Sequence, residues 1–204
     1  MCAKKLSQAS KNILTREMAH KSLSPFYDDI IAVIQTGLNK FMDFDGLPRA
    51  CARPRTLANV LNDCICSEAV IRFHDMPEVK DIDDYEGHLF VFQGLAALRF
   101  KKVDGAQIPS NVPTERQADI ELQQLEIPGC TFPTLLNVGY EPNILYTEIK
   151  SVSLSCRRNR SLLWEIPLVN DMTAYMFDNE GKAQPTTKAA PIVRPKLIGK
   201  VANG

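Results

Sequence analysis

Residues 88–114 constrain the fold more than any other stretch, because they have the pattern of a β-hairpin that runs into a polar loop. Residues 88–92 and 95–103 are rich in aromatic and aliphatic side chains. The pair between them, Gln93-Gly94, is short enough for a tight turn. The sequence therefore predicts two paired strands here, followed by an irregular segment.

Side-chain alternation gives the second strand of this hairpin two different faces. Leu98 and Phe100 share one face, whereas Arg99 and Lys101 share the other. The first face is expected to join a hydrophobic core, and the second to be charged. Charged residues on the open side of an antiparallel sheet are ordinary, so a solvated face is one interpretation and a binding surface is the other.

Two amphipathic helices are predicted ahead of the hairpin. Ser24-Pro25 is typical of an N-cap followed by proline at the first helical position, and apolar residues follow at helical spacing to about residue 44. A second helix is predicted from residues 54–56 to about residue 73. One flank of this helix carries Arg55, Asn59, Asn62 and Cys66. Arg55 is a candidate ligand-binding residue, although a helix surface with a weak ion pair is the alternative.

Beyond the hairpin, Thr114 and Gln117 have the T-x-x-Q spacing of a capping box, which predicts a short helix. Three further strands are predicted at residues 134–140, 146–156 and 161–168. Hairpin-length turns favour antiparallel pairing, so the predicted fold class is α+β, with an antiparallel sheet of about five strands covered by the two N-terminal helices.

The expected domain organisation has three parts. Residues 1–23 are polar and form an arm, residues 24–169 form a single α+β domain, and residues 170–204 form a basic, disordered tail.

Composition excludes some classes of protein. The formal net charge is zero, so affinity for nucleic acid must arise from local patches rather than from the whole molecule. The six cysteines include no C-x-x-C pair, so we expect no metal site and no cofactor. No apolar run approaches the roughly 18 residues of a membrane helix, and the N-terminus lacks the apolar segment of a signal peptide. We therefore expect a cytoplasmic protein that does not contact a membrane.

Several motifs resemble a known family. In order they are RPRTLANVLNDCI, LRFKKVD, PSNVPTERQ, EIPGC, NVGY and LLWEIPL, and the resemblance that they carry spans about residues 26–168. This series resembles an uncharacterised bacterial and prophage family whose genes are often placed beside a partner with a repressor-type DNA-binding domain and a zinc-peptidase-like domain. The resemblance implies a component of a toxin–antitoxin or phage-defence pair, with a protein partner encoded nearby.

One functional hypothesis follows from polar residues that converge at the end of the hairpin. Basic side chains beside a capped helix N-terminus are suited to a phosphate group, so we expect binding of nucleic acid or another phosphate-bearing ligand. The alternative is that these hydroxyls and amides only shape a turn and a cap. The candidate ligand-binding residues here are Arg99, Lys101, Lys102, Ser110, Asn111, Thr114 and Gln117.

A second hypothesis is a metal-dependent nuclease. Glu148-Ile149-Lys150 lies on a predicted strand in the E-x-K arrangement, in which the carboxylate holds a metal and the lysine stabilises developing phosphate charge. Glu148 and Lys150 are therefore weak catalytic candidates, and whether the protein is an enzyme stays open. A third hypothesis is a non-catalytic antitoxin or immunity protein that binds only another protein.

Overall fold

A computed structural model describes residues 13–46, 51–84, 87–105, 108–109, 114–127, 129–130 and 133–169. These residues form three layers, in which helices cover both faces of one six-stranded sheet.

Four α-helices lie in the described residues: α1 (Arg16–Leu23), α2 (Tyr27–Asp43), α3 (Pro54–Phe73) and α4 (Glu115–Glu121). A short 3-10 turn, Ser24–Phe26, joins α1 to α2. The two long helices confirm the helical spacing in the sequence. Their buried apolar side chains include Ile30, Ile34, Leu38 and Phe41 in α2, and Leu61, Ile65, Ala69 and Phe73 in α3.

The sheet has strands β1 (Val79–Asp84), β2 (Gly87–Phe92), β3 (Ala96–Lys102), β4 (Thr134–Pro142), β5 (Ile149–Arg158) and β6 (Ser161–Val169), in that spatial order. The α+β class is confirmed. The expectation of about five antiparallel strands is wrong in detail, because β1 is an additional acidic edge strand and β3 pairs with β4 in parallel. A parallel pair needs a long crossover, and the connection between β3 and β4 supplies it with α4.

Both faces of the sheet are covered. Helices α1, α2 and α3 pack on one face, which holds the larger core and the fully buried Tyr140. A smaller cluster on the other face consists of Leu89, Val91, Ala97, Ile120, Ile127 and Leu135. Ile120 belongs to α4, so this short helix closes the face on which the sequence predicts solvent. Strand β3 is consequently buried on both sides over its first five residues.

The packed domain begins before residue 24. Leu14, Ala19 and Leu23 are buried in the larger core, and the Trp164 indole Nε1 donates a hydrogen bond to the Leu14 carbonyl at 2.9 Å. The predicted polar arm is therefore corrected for residues 14–23, whose apolar positions are too few for a clear sequence pattern. Residues 1–12 and the predicted tail from residue 170 lie outside the described residues. Within the described part of the chain, no helix has the length and apolar character to cross a membrane.

Candidate ligand-binding cavity

A cavity of about 350 Å³ opens where β2 and β3 diverge. Pairing between these strands covers only residues 90–92 and 96–98, so the beginning of β2 and the end of β3 leave a gap between them. Helix α3 closes one side of this gap and the first turns of α4 close another. The described lining residues are Asn59, Asn62, Cys66, Gly87, His88, Leu89, Arg99, Phe100, Lys101, Thr114, Arg116, Gln117 and Ile120.

Arg99 forms part of the cavity wall and is only 6% exposed. Its Nε donates to Asn137 Oδ1 at 2.6 Å, and its Nη1 donates to Gln117 Oε1 at 2.7 Å. The third nitrogen, Nη2, is buried and has no hydrogen-bond partner among the described residues. Of the two interpretations of this strand face, the solvated one is wrong at Arg99, because α4 covers this face of β3.

The charge on Arg99 is incompletely compensated. No carboxylate of the described residues lies within ion-pair distance of its guanidinium, and Glu121 is linked to it only through the Gln117 side chain. Burial lowers the pKa of Arg99 to about 10, while the negative charge of Glu121 acts in the opposite direction. The guanidinium therefore remains protonated at neutral pH. The burial cost is present in full below that pKa and is relieved only as the pH rises through it.

Two further cations line the cavity. Lys101 and Arg116 are half-buried, and burial lowers the pKa of Arg116. His88 also lines it, with Nδ1 at 3.1 Å from Asp81 Oδ1 and Nε2 at 3.8 Å from Asp83 Oδ1. The described lining residues include no aspartate or glutamate. The lining itself thus carries the positive charges of Arg99, Lys101 and Arg116, and the carboxylates of Asp81 and Asp83 lie outside it, against His88.

Helix α3 supplies a polar wall to the cavity. Asn62 Oδ1 accepts a hydrogen bond from the Tyr140 hydroxyl at 3.1 Å, and its Nδ2 donates to Cys66 Sγ at 3.6 Å. Because sulfur is a weak acceptor, the Asn62 amide keeps donor capacity toward a ligand. Of the flank identified in the sequence, Asn59, Asn62 and Cys66 reach the cavity. Arg55, in the first turn of α3, is exposed and is not part of its lining.

Cys66 has the properties of an inert thiol. Burial raises its pKa to about 12, and the negative charge of Asp63 adds to the effect. At pH 8 about one Cys66 in ten thousand is then a thiolate, which is the nucleophilic form. We expect iodoacetamide at pH 8 to alkylate the exposed Cys51 well before Cys66 and before the buried Cys156, as followed by peptide mass spectrometry. Equal modification of Cys51 and Cys66 in the folded protein would contradict this assignment.

The capping box is confirmed in part. Thr114 Oγ1 accepts a hydrogen bond from the Gln117 backbone N–H at 3.0 Å, so Thr114 is the N-cap of α4. The Gln117 side chain does not return to the cap. Its oxygen accepts from Arg99, and its Nε2 donates to Glu121 Oε1 at 3.1 Å.

One further sequence candidate, Lys102, lies elsewhere, and two others are not described by the structure. Lys102 donates from Nζ to the Tyr146 hydroxyl at 2.8 Å and lies 5.1 Å from that ring centroid, so it is engaged outside the cavity lining. Ser110 and Asn111 lie outside the described residues.

The E-x-K pair is not part of the cavity. Glu148 precedes β5 by one residue, and Lys150 is an exposed residue of that strand. Among the described residues no group of three or more histidine, cysteine, aspartate or glutamate side chains is placed to hold a metal ion. The nuclease hypothesis remains a prediction without further support.

Comparison with known proteins gives no match. No protein-family model matches the chain, and neither the curated proteins nor the solved structures include a significant relative.

Proposed function

We propose that the protein is an effector or interaction component of a bacterial toxin–antitoxin or phage-defence pair and that it acts by binding a phosphate-bearing ligand in the Arg99 cavity. The observation that carries this proposal is the buried guanidinium of Arg99, which has one nitrogen without a partner among the described residues and no carboxylate at ion-pair distance.

The burial of the Arg99 charge without a paired carboxylate among the described residues is energetically unfavourable. An arginine that only stabilises the fold is normally paired with a carboxylate, because an uncompensated buried charge costs several kcal/mol. Asn137 and Gln117 fix the plane of the guanidinium, and Nη2 keeps a donor that no described residue uses. A phosphate oxygen would provide both the acceptor and the missing negative charge. Groups in clefts whose pKa is shifted by burial cluster at functional sites.

The rest of the cavity suits the same ligand. A volume of about 350 Å³ falls in the range of small-molecule sites. Lys101 and Arg116 add two positive charges, while Phe100, Leu89 and Ile120 provide apolar surface for the organic part of the ligand. This supports a recessed site for a small anionic group rather than an open surface for a duplex.

Calorimetric titration with a nucleoside monophosphate and with inorganic phosphate tests the proposal. Lys101→Gln and Arg116→Gln each remove one cation from the lining without emptying a fully buried position, and each is expected to weaken binding by about 10-fold. Arg55→Gln is the matched control, because Arg55 is an exposed cation outside the cavity. Equal affinities for all four proteins, or no binding by any, would refute the proposal.

The proposed biological setting, in the cytoplasm with a protein partner, rests on the family resemblance and needs its own test. We expect expression of the protein alone to arrest growth and co-expression of the neighbouring gene to relieve the arrest. If Lys101→Gln abolishes arrest but still binds the partner, the cavity is the working site. If arrest is unchanged in that variant, the protein acts through another surface.

A further inference from the structure

We infer that the cavity is built for a terminal phosphate monoester, as on a free nucleotide or at the phosphorylated end of a nucleic-acid strand, and not for the internal phosphodiesters of a strand or duplex. This inference rests on the proposed function and narrows the class of ligand.

The depth at which Arg99 lies in the cavity favours a terminal phosphate. Arg99 is 6% exposed, so a phosphate must enter the recess to reach its guanidinium. The phosphates of a duplex lie along a convex backbone and are contacted by exposed cations. An internal phosphodiester also carries a sugar on each side, and both must follow it into the gap between β2 and β3. A terminal monoester has one attachment and presents three oxygens at the tip of the ligand.

The charge of the cavity lining also favours a phosphate monoester. A phosphate monoester carries a charge of about −1.5 to −2 at neutral pH, because its second pKa is about 6, whereas a diester carries about −1. The described lining holds three cationic side chains, Arg99, Lys101 and Arg116, and no carboxylate. The donor groups of Arg99 and Asn62 also match an acceptor-rich ligand. The three cationic side chains of the lining therefore favour a dianion over a monoanion.

A neighbouring cavity does not compete for the phosphate. It measures about 760 Å³, shares Thr114 and Gln117 with the first, and is lined at its other end by Arg157 and Arg160. Glu121 also lines it, and the Oε2 of that carboxylate is buried without a hydrogen-bond partner among the described residues. The second cavity therefore has a carboxylate in its own lining, whereas the described lining of the Arg99 cavity has none, which favours the Arg99 cavity for an anion.

Oligonucleotide binding distinguishes phosphate binding in the Arg99 cavity from a preference of that cavity for a terminal monoester. A single-stranded octanucleotide carrying a fluorophore at its 3′ end is prepared with a 5′-phosphate and with a 5′-hydroxyl, and a nucleoside monophosphate is used as competitor. In fluorescence anisotropy the phosphorylated strand is expected to bind at least 10-fold more tightly. This preference should disappear in Lys101→Gln and in Arg116→Gln, whose melting temperatures report whether each variant is folded.

The outcomes are distinct. If both strands bind equally and the two variants weaken both, phosphate binding at the cavity stands and the monoester inference fails. If the variants weaken neither strand, both proposals fail. When the phosphorylated strand is preferred, competition shows which ligand carries the monoester. A monophosphate that displaces the strand at equal concentration indicates a free nucleotide. A strand that binds at least 10-fold more tightly than the monophosphate indicates the phosphorylated end of a nucleic acid.

Discussion

Arg99→Met is expected to weaken ligand binding by about 100-fold or more while lowering the free energy of unfolding by no more than about 3 kcal/mol. The affinity falls because methionine has neither the charge nor the fork of donors that a phosphate requires. The change in the free energy of unfolding is limited because two effects of opposite sign contribute to it.

The first effect stabilises the variant. The lowered pKa of Arg99 corresponds to about 3 kcal/mol against its charged form, and methionine removes this cost. The second effect destabilises it. Asn137 Oδ1 and Gln117 Oε1 lose their donors, at about 1 to 3 kcal/mol each when they stay buried. These effects oppose each other, so the net change lies between a gain of about 1 kcal/mol and a loss of about 3 kcal/mol, as expected where a site exchanges stability for binding.

Urea denaturation and calorimetry on the same preparations measure both quantities. Arg99→Lys is the control for charge alone, and it should bind better than Arg99→Met but less well than the native protein. A loss of more than about 3 kcal/mol in Arg99→Met, with unchanged ligand affinity, would show that Arg99 is a structural clamp.

Gly37→Ala is expected to lower the free energy of unfolding by about 2 to 3 kcal/mol. An alanine Cβ at this position of α2 would lie 2.7 Å from the Ile65 Cα in α3, and backbone cannot yield as a flexible side chain does. The two helices must separate, which loosens the contact between the main elements of the larger core. Alanine favours the helical state over glycine by about 1 kcal/mol, so intrinsic propensity alone predicts stabilisation.

Denaturant titration shows whether Gly37→Ala lowers or raises the free energy of unfolding. Thr36→Ala is the matched control, because Thr36 is the preceding residue of the same helix and is exposed. It should leave stability within about 0.5 kcal/mol of the native value. If Gly37→Ala proves more stable than the native protein, α2 and α3 are not packed as closely as described.

Local patterns predicted much of the fold. The apolar spacing of α2 has one physical cause, burial of a single helix face, and that cause lies within the segment itself. The same holds for the N-cap at Thr114, where the hydroxyl and the amide that it accepts from are three residues apart. Both features depend only on residues that are close together in the sequence, and the structure confirms both.

Long-range pairing could not be read in the same way. Arg99 is placed opposite Asn137 by the parallel register of β3 and β4, and 38 residues separate them in the chain. Alternation correctly separated Arg99 from Leu98, but it cannot show that α4 folds over the second face. Asn137 and Glu121 were therefore missed as neighbours of Arg99. The signal that could have found them was the long connection between the two strands, which permits a parallel crossover.

The most direct test of the Arg99 cavity is the nuclear magnetic resonance signal of the Arg99 side chain during titration with a nucleoside monophosphate. The Nε–H resonance can be assigned by its absence in Arg99→Lys, and those of Arg55 and Arg72 serve as references on the protein surface. We predict a saturable shift of the Arg99 signal at concentrations that leave the two reference signals unchanged. Equal, unsaturable shifts of all three arginines, or an Arg99 signal that does not move, would contradict a phosphate site in this cavity.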